Sequence, residues 1–227
     1  IVFDLKSKNL LEEFKEGEGG KTLLIRLLGT AEDNKVEAVS EIEAAQKSLG
    51  SSVVIDAGHG GYDHGAIYGG FNEKDVTLSL AHKLSGYLEA AGIKSYMVRK
   101  DARFVSLAER VDVSHSIDPQ LFVSVHVNAL ATNPNMEGLQ TYYFSPSSLA
   151  LANVVHKQLL KDVGMPDQRV RKANFWVIKY TKVPSVLLEL GFMTNVEERK
   201  KLTRDSYQND LAKAVARGII NYLEGAK

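Results

Sequence analysis

The stretch "VVIDAGHGGYDHGAIYGGFNEKDVTLSLA", Val53 to Ala81, decides how the chain is read. "VVIDA" is apolar except for its acid, Asp56, and the run predicts a buried strand. Glycines then crowd around His59 and let the backbone bend tightly there. Glu73 follows the loop, just where the pattern turns helical. A strand, a turn holding an imidazole and a carboxylate at the next helix start are the first unit of an α/β fold. In such folds chemistry gathers at the carboxyl ends of strands.

Working outward, strand and helix patterns alternate from Val53 onward. Asp75 to Ala91 predicts an amphipathic helix ended by Gly92, and "KSYMVR" a strand. Ser106 with Glu109 is a capping-box pattern opening a helix to about Ser116. "LFVSVHV" and "GLQTYYF" read as strands, and Ser147 to Val163 as a helix ended by Gly164. "NFWVIKY" and "SVLLEL" read as strands, and residues 195–223 as two closing helices. This order predicts an α/β three-layer sandwich with a mainly parallel central sheet flanked by helices.

Upstream, residues 1–28 carry two β-like runs, "IVFDLK" and "KTLLIRLL"; the polar "EFKEGEGG" separates them, and its glycines read as a turn. Residues 29–51 are acidic and small. Val36, Val39, Ile42 and Leu49 form a thin helical stripe there, so the segment reads as a partly helical linker. Residues 52–227 are then the main domain.

The chain has 227 residues, 44% of them hydrophobic, enough for one good core. Its 28 basic and 28 acidic residues balance, which removes the electrostatic case for nucleic acid or an anionic membrane surface. With no cysteine, disulfides, thiolate zinc sites and cysteine catalysis are excluded. Zero cysteine suits an extracytoplasmic bacterial protein. The start at Ile1, inside a strand-like run, reads as a fragment or processed form, so a missing signal peptide says nothing about export. No apolar run reaches the roughly 18 residues a membrane span needs.

Four residues carry candidate chemistry. His59, His126 and Glu189 follow or close strands, and Glu73 opens a helix. Each alone reads as an ordinary loop, core or helix-start residue. Together, two imidazoles and one carboxylate from three elements at one sheet edge form a three-ligand catalytic zinc set with a fourth position open for water. Glu189 lies inside the apolar "SVLLELGF", where an unpaired carboxylate is costly to bury. The nearest base in sequence, Lys182, lies beyond Pro184. A carboxylate aimed at a zinc-bound water has a reason to stand there, as general base and then as proton donor to a leaving amine. His82, His115 and His156 read as structural or surface residues. His64 shares the loop of His59 and is left open between lining the site and facing solvent. "GHGGYDHGAIYGG" matches neither phosphate-loop spacing.

With these residues in view, "VVIDAGHGGYDHGA", "EKDVTLSLA", "LFVSVHVNA" and "VPSVLLELGFMTN" resemble the motifs of zinc-dependent N-acetylmuramoyl-L-alanine amidases, the amidase-3 family of bacterial cell-wall hydrolases. The resemblance covers about residues 52–224. It implies that His59, Glu73 and His126 bind one Zn2+ per chain and that Glu189 is catalytic. It also implies an exported protein whose substrate is peptidoglycan, cut between the lactyl group of N-acetylmuramic acid and the L-alanine of the stem peptide. Two alternatives stay open: a zinc peptidase acting on another cell-wall amide, and a non-catalytic glycan-binding module. Some members carry a long helical insertion after the second histidine motif that plugs the zinc site. Here only ten residues separate Val127 from Gly138, so the chain resembles an ungated member. Residues 1–28 resemble the tail of an AMIN-type wall-binding domain, and a monomer is expected.

Overall fold

The structure, a computed structural model, describes residues 11–16, 23–27 and 51–225. The chain divides into two compact units, Ile1–Ala44 and Ala45–Lys227. In the first, β1 (Leu11–Glu16) and β2 (Leu23–Leu27) pair antiparallel, with Phe14 opposite Ile25. "KTLLIRLL" therefore holds a strand as expected. "EFKE" belongs to β1, where pairing with β2 supplies the ladder that its polar composition does not advertise, and the glycines expected as a turn lie outside the described residues. The expected strand "IVFDLK" and linker residues 29–50 lie outside the described residues.

The second unit carries β3 (Ser52–Ala57), the short hairpin β4 (Ile67–Tyr68) and β5 (Phe71–Asn72), α1 (Glu73–Ala90), β6 (Lys94–Met97) and α2 (Leu107–Ile117). It continues through β7 (Leu121–Asn128), β8 (Leu139–Tyr143), α3 (Leu149–Val163), β9 (Asp167–Lys172), α4 (Trp176–Tyr180), β10 (Ser185–Phe192), α5 (Val196–Leu202) and α6 (Asp205–Gly225). The central sheet has the order β6-β3-β7-β10-β8-β9. Its first four strands are mutually parallel. β8 and β9 run the other way, so the sheet is mainly parallel.

Burial explains the apolar strands. β3, β7 and β10 are covered on both faces and so read as nearly continuous hydrophobic runs. One face packs Val53, Ile55, Val123 and Leu188 against Leu84 of α1, Leu151 of α3 and Leu211 of α6. The other packs Val54, Phe122 and Leu187 against Val177 and Ile178 of α4, with Val113 and Ile117 of α2 alongside. This is the expected three-layer sandwich. Among the described residues no helix is long and apolar enough to cross a membrane.

Two local expectations behave differently. The capping box holds: the Ser106 hydroxyl accepts the Glu109 N–H, and Glu109 Oε2 accepts the Ser106 N–H at 2.8 Å. "NFWVIKY", expected as a strand, is the helix α4. Periodicity cannot separate a short apolar run of either kind. Here the adjacent pair Val177 and Ile178 is buried while Trp176 and Tyr180 are exposed, a helical distribution and not an alternating one. The strand beside β8 is instead β9, "DQRVRK", a polar edge strand without a hydrophobic signal.

Candidate metal centre

The parallel strands bring their carboxyl ends to one edge, and the register places the candidates there. Glu189 on β10 pairs with His126 on β7, and Ala57 on β3 pairs with Val125. Paired positions on parallel neighbours point to the same face, so Glu189 stands beside His126. His59 lies two residues past β3, and Glu73 is the first residue of α1. His59, Glu73 and His126 each offer a ligand atom within 4.8 Å of the other two, so they could hold a metal ion.

The backbone is shaped to allow this. His59 adopts a left-handed φ of 60°, a strained conformation for a residue with a side chain. Gly58 lies against the His126 imidazole, and a Cβ there would strike the ring. At Gly65, with φ 63°, a Cβ would lie 2.6 Å from Glu73 Oε2 and 2.7 Å from His59 Cδ2. The space those glycines leave is the space the cluster occupies.

Two buried arginines hold the turn. Arg110 Nη1 donates to Asp56 Oδ1 at 2.6 Å and to the Ala57 carbonyl, and its Nη2 donates to the His59 carbonyl at 2.8 Å. The second oxygen of Asp56 accepts the Ser124 hydroxyl. Arg99, fully buried, donates to the carbonyls of Ala57, Gly58 and Lys74. Asp63 completes the set. Its Oδ2 accepts from His59 Nδ1 at 2.9 Å, and its Oδ1 accepts the Gly65 N–H. That bond fixes the imidazole and leaves Nε2 directed at Glu73, 3.2 Å away. Sequence reasoning singled out none of Arg99, Arg110 or Asp63. The one available signal was Asp56, an acid in an otherwise apolar strand, which demands a buried cation.

Glu73 faces both histidines. Its Oε1 lies 3.0 Å from His126 Nδ1 and accepts the Val127 N–H, and its Oε2 accepts the Ala66 N–H. Burial pushes the Glu73 carboxyl up, but hydrogen bonds and charge from His126 and His59 outweigh it and hold the group well below the usual carboxylate range. Burial pushes His59 down, and Glu73 and then Asp63 outweigh it to raise the imidazole above its ordinary value.

Glu189 is different in kind. Its Oε2 is buried and accepts no hydrogen bond. Burial first, then the charge of Glu73, raises its carboxyl well above the ordinary value. Across the other side of β10 it pairs with Gln140 of β8, whose Oε1 accepts from Asn128 Nδ2 and from the Tyr142 hydroxyl. An orphaned carboxylate oxygen beside a His–Glu–His cluster fits a donor set completed by an ion and water.

The remaining histidines stay outside the cluster. His82 and His115 bond to the carbonyls of Lys100 and Tyr180, and His156 sits between Thr141 and Asp167. His64 is exposed, and only its backbone carbonyl is engaged, accepting the Lys74 N–H. After β7 ends at Asn128, residues 129–138 form a short loop with turns at 131–132 and 134–135, and α3 buries Leu151, Val155 and Leu159 in the large core, contributing nothing to the cluster.

Known proteins decide the family. A profile of the Amidase_3 family, N-acetylmuramoyl-L-alanine amidase, matches residues 53–221. The chain belongs to this amidase family. It is 38% identical over 179 residues to the N-acetylmuramoyl-L-alanine amidase LytC of Bacillus subtilis, a match spanning 77% of this chain and 36% of LytC. It is 37% identical over 186 residues to YqiI of the same organism, covering 80% of this chain and 89% of that protein. Among solved structures, the amidase AmiC2 of Nostoc punctiforme superposes with a TM-score of 0.75 at 39% identity, over 77% of this chain and 97% of that one. The amidase match begins within β3 and takes in all four candidate residues.

Proposed function

We propose that the chain is a zinc-dependent N-acetylmuramoyl-L-alanine amidase of peptidoglycan. His59, Glu73 and His126 hold one Zn2+, and Glu189 is the general base. In this reading residues 52–227 are the catalytic unit of an exported protein, residues 29–51 tether it, and residues 1–28 belong to a wall-binding segment. The observation that carries the proposal is the buried, unpartnered Oε2 of the Glu189 carboxylate, in register with His126.

When bound, zinc supplies Lewis acidity, making water more acidic and an amide carbonyl more electrophilic. The protein groups do the rest. Asp63 keeps the His59 ring oriented, and the backbone N–H groups of Ala66 and Val127 hold Glu73 in place. The Glu189 carboxylate takes a proton from the attacking water as its oxygen bonds to the lactyl carbonyl carbon. The carboxylic acid so formed passes that proton to the alanine nitrogen as the C–N bond breaks. The products are a lactyl carboxylate and a free L-alanine amine. A carboxyl whose proton affinity is raised by burial suits both halves of this exchange.

The test is digestion of purified sacculi by zinc-loaded protein, followed by mass spectrometry. Stem peptides beginning with free L-alanine, and glycan strands bearing lactyl carboxylates, are expected. Cuts within the peptide would replace the proposal with the peptidase reading, and binding without turnover with the glycan-binding module.

A further inference from the structure

The face of the sheet that carries Glu189 continues into a shelf that the cleavage chemistry leaves unused. Gln140, opposite Glu189, and Tyr142 share one face of β8 by strand alternation, about 7 Å apart. The Tyr142 hydroxyl donates to Gln140, and its ring meets Phe175 edge-on with centroids 5.0 Å apart. Beyond Tyr142 the next alternate residue is Phe144. Lys172 Nζ lies 5.6 Å from the centroid of its ring, and Lys179 Nζ 5.8 Å. Arg171 pairs with Tyr142 from the edge strand β9. Arg171, Lys172 and Lys179 form no ion pair among the described residues, and Arg171 and Lys172 are exposed. Cations gathered over aromatic rings without a carboxylate of their own are set for an anionic occupant.

The occupant follows from the two halves of the substrate. In intact peptidoglycan the lactyl carboxyl is tied up in the amide, so the glycan strand is uncharged there. The stem peptide carries free carboxylates. We infer that Arg171, Lys172 and Lys179, above Tyr142 and Phe144, form the subsite that takes the carboxylates of the stem peptide and so aligns its amide with Glu189. This rests on the amidase reading given above.

The chain supplies its own probe. Trp176 is its one tryptophan, is half exposed and meets Tyr180 at a tilt with ring centroids 4.3 Å apart, and Tyr180 in turn lies under Lys179. Its fluorescence can be titrated with L-alanyl-γ-D-glutamyl-L-lysyl-D-alanine and with the same peptide amidated at its carboxyls. Wild type should bind the carboxylated peptide about tenfold more tightly, the sum of a few exposed charge contacts. Lys172→Ala combined with Lys179→Ala should lose that preference without a change in melting temperature. Equal binding of the two peptides by wild type overturns the inference without reference to any variant. So does a preference the double variant retains, or displacement by inorganic phosphate at the same concentration. Sacculus digestion by the same wild-type protein separates the two readings. Cleavage with no peptide preference sinks the subsite alone. A peptide preference without cleavage upholds the subsite while the amidase chemistry fails.

Discussion

Around His59 each buried side-chain polar group has a partner. At Glu189, two strands along the same sheet, the buried oxygen has none. The turn is held by Arg99 and Arg110 from below and by Asp63 from the side, and these groups stabilise a backbone conformation that a histidine adopts only under constraint. Within β10 the Glu189 carboxylate is kept desolvated and near the charge of Glu73, so that its anion is disfavoured. In the proposed reading the contrast shows how the site divides its work. Ligand geometry needs rigidity, and rigidity comes from satisfied hydrogen bonds. A base that must gain and release a proton needs a proton affinity lifted off its ordinary value, and that comes from leaving it unsatisfied.

The comparison breaks most visibly at Arg110. The Arg110–Asp56 pair is almost wholly buried, and removing one partner strands the other charge. Arg110→Ala should lower unfolding free energy by about 3–5 kcal/mol, measured by chemical denaturation. A variant as stable as wild type would mean that this pair does not brace the turn.

At Glu189 the expectation reverses. Glu189→Gln should lower the rate on peptidoglycan about 10²–10⁴-fold. Its effect on stability follows from the direction of the shift. A carboxyl raised above its unfolded value contributes stability that is fully present below that unfolded value and is lost as pH rises through the folded one. In chelator-treated protein at neutral pH, the neutral amide should therefore melt at or above the wild-type temperature. A marked fall in melting temperature with activity per folded molecule retained would make Glu189 a structural residue.

Asp63 tests the rigid half at lower amplitude. Asp63→Ala frees the His59 ring without touching a ligand atom, and metal affinity should drop about 10–100-fold. Competition against a chelator of known affinity measures it. Unchanged affinity would show that the His59 orientation is set by the backbone alone.

How much of this was legible follows from where each residue's reason lies. His59, Glu73 and His126 sit at or within two residues of element ends, with motif residues beside them, so local sequence places them. Glu189 was legible because an acid in "SVLLELGF" conflicts with its neighbours. Asp56 posed the same conflict, but its answer, Arg110, lies 54 residues away and no spacing rule links them. β9 was illegible because an exposed edge strand has no hydrophobic period, and α4 because five residues do not complete enough turns to display one. Glu198 was missed for a further reason: in sequence it is one acid in the charged run "EERKK".

Glu198 sharpens the comparison most finely, because it is a second buried carboxylate near the same strand but with partners. Its Oε1 accepts the Gly138 N–H at 2.7 Å and its Oε2 the Phe192 N–H at 2.6 Å, tying the start of β8 to the end of β10 on either side of Gln140 and Glu189. Burial favours the neutral acid and the two N–H groups favour the carboxylate; burial prevails, and the group is pushed up to about 7. The stability it contributes is therefore complete below about 4.5 and lost as pH rises through about 7. Glu198→Gln keeps one accepting oxygen but sets an amide nitrogen against the other N–H. At pH 5 that should lower stability by about 1–3 kcal/mol, the effect of leaving a buried donor unpaired. As pH rises to 8 the wild type loses its own contribution while the variant does not, so the gap should narrow. At Glu189 no bond is lost, so its glutamine variant should show no deficit at pH 5 and an advantage at pH 8. Denaturant melts of both variants at the two pH values decide it. A Glu198→Gln deficit that stays constant across the range would mean that Glu198 does not titrate near neutrality. A deficit for Glu189→Gln at pH 5 would mean that its carboxyl has a partner after all.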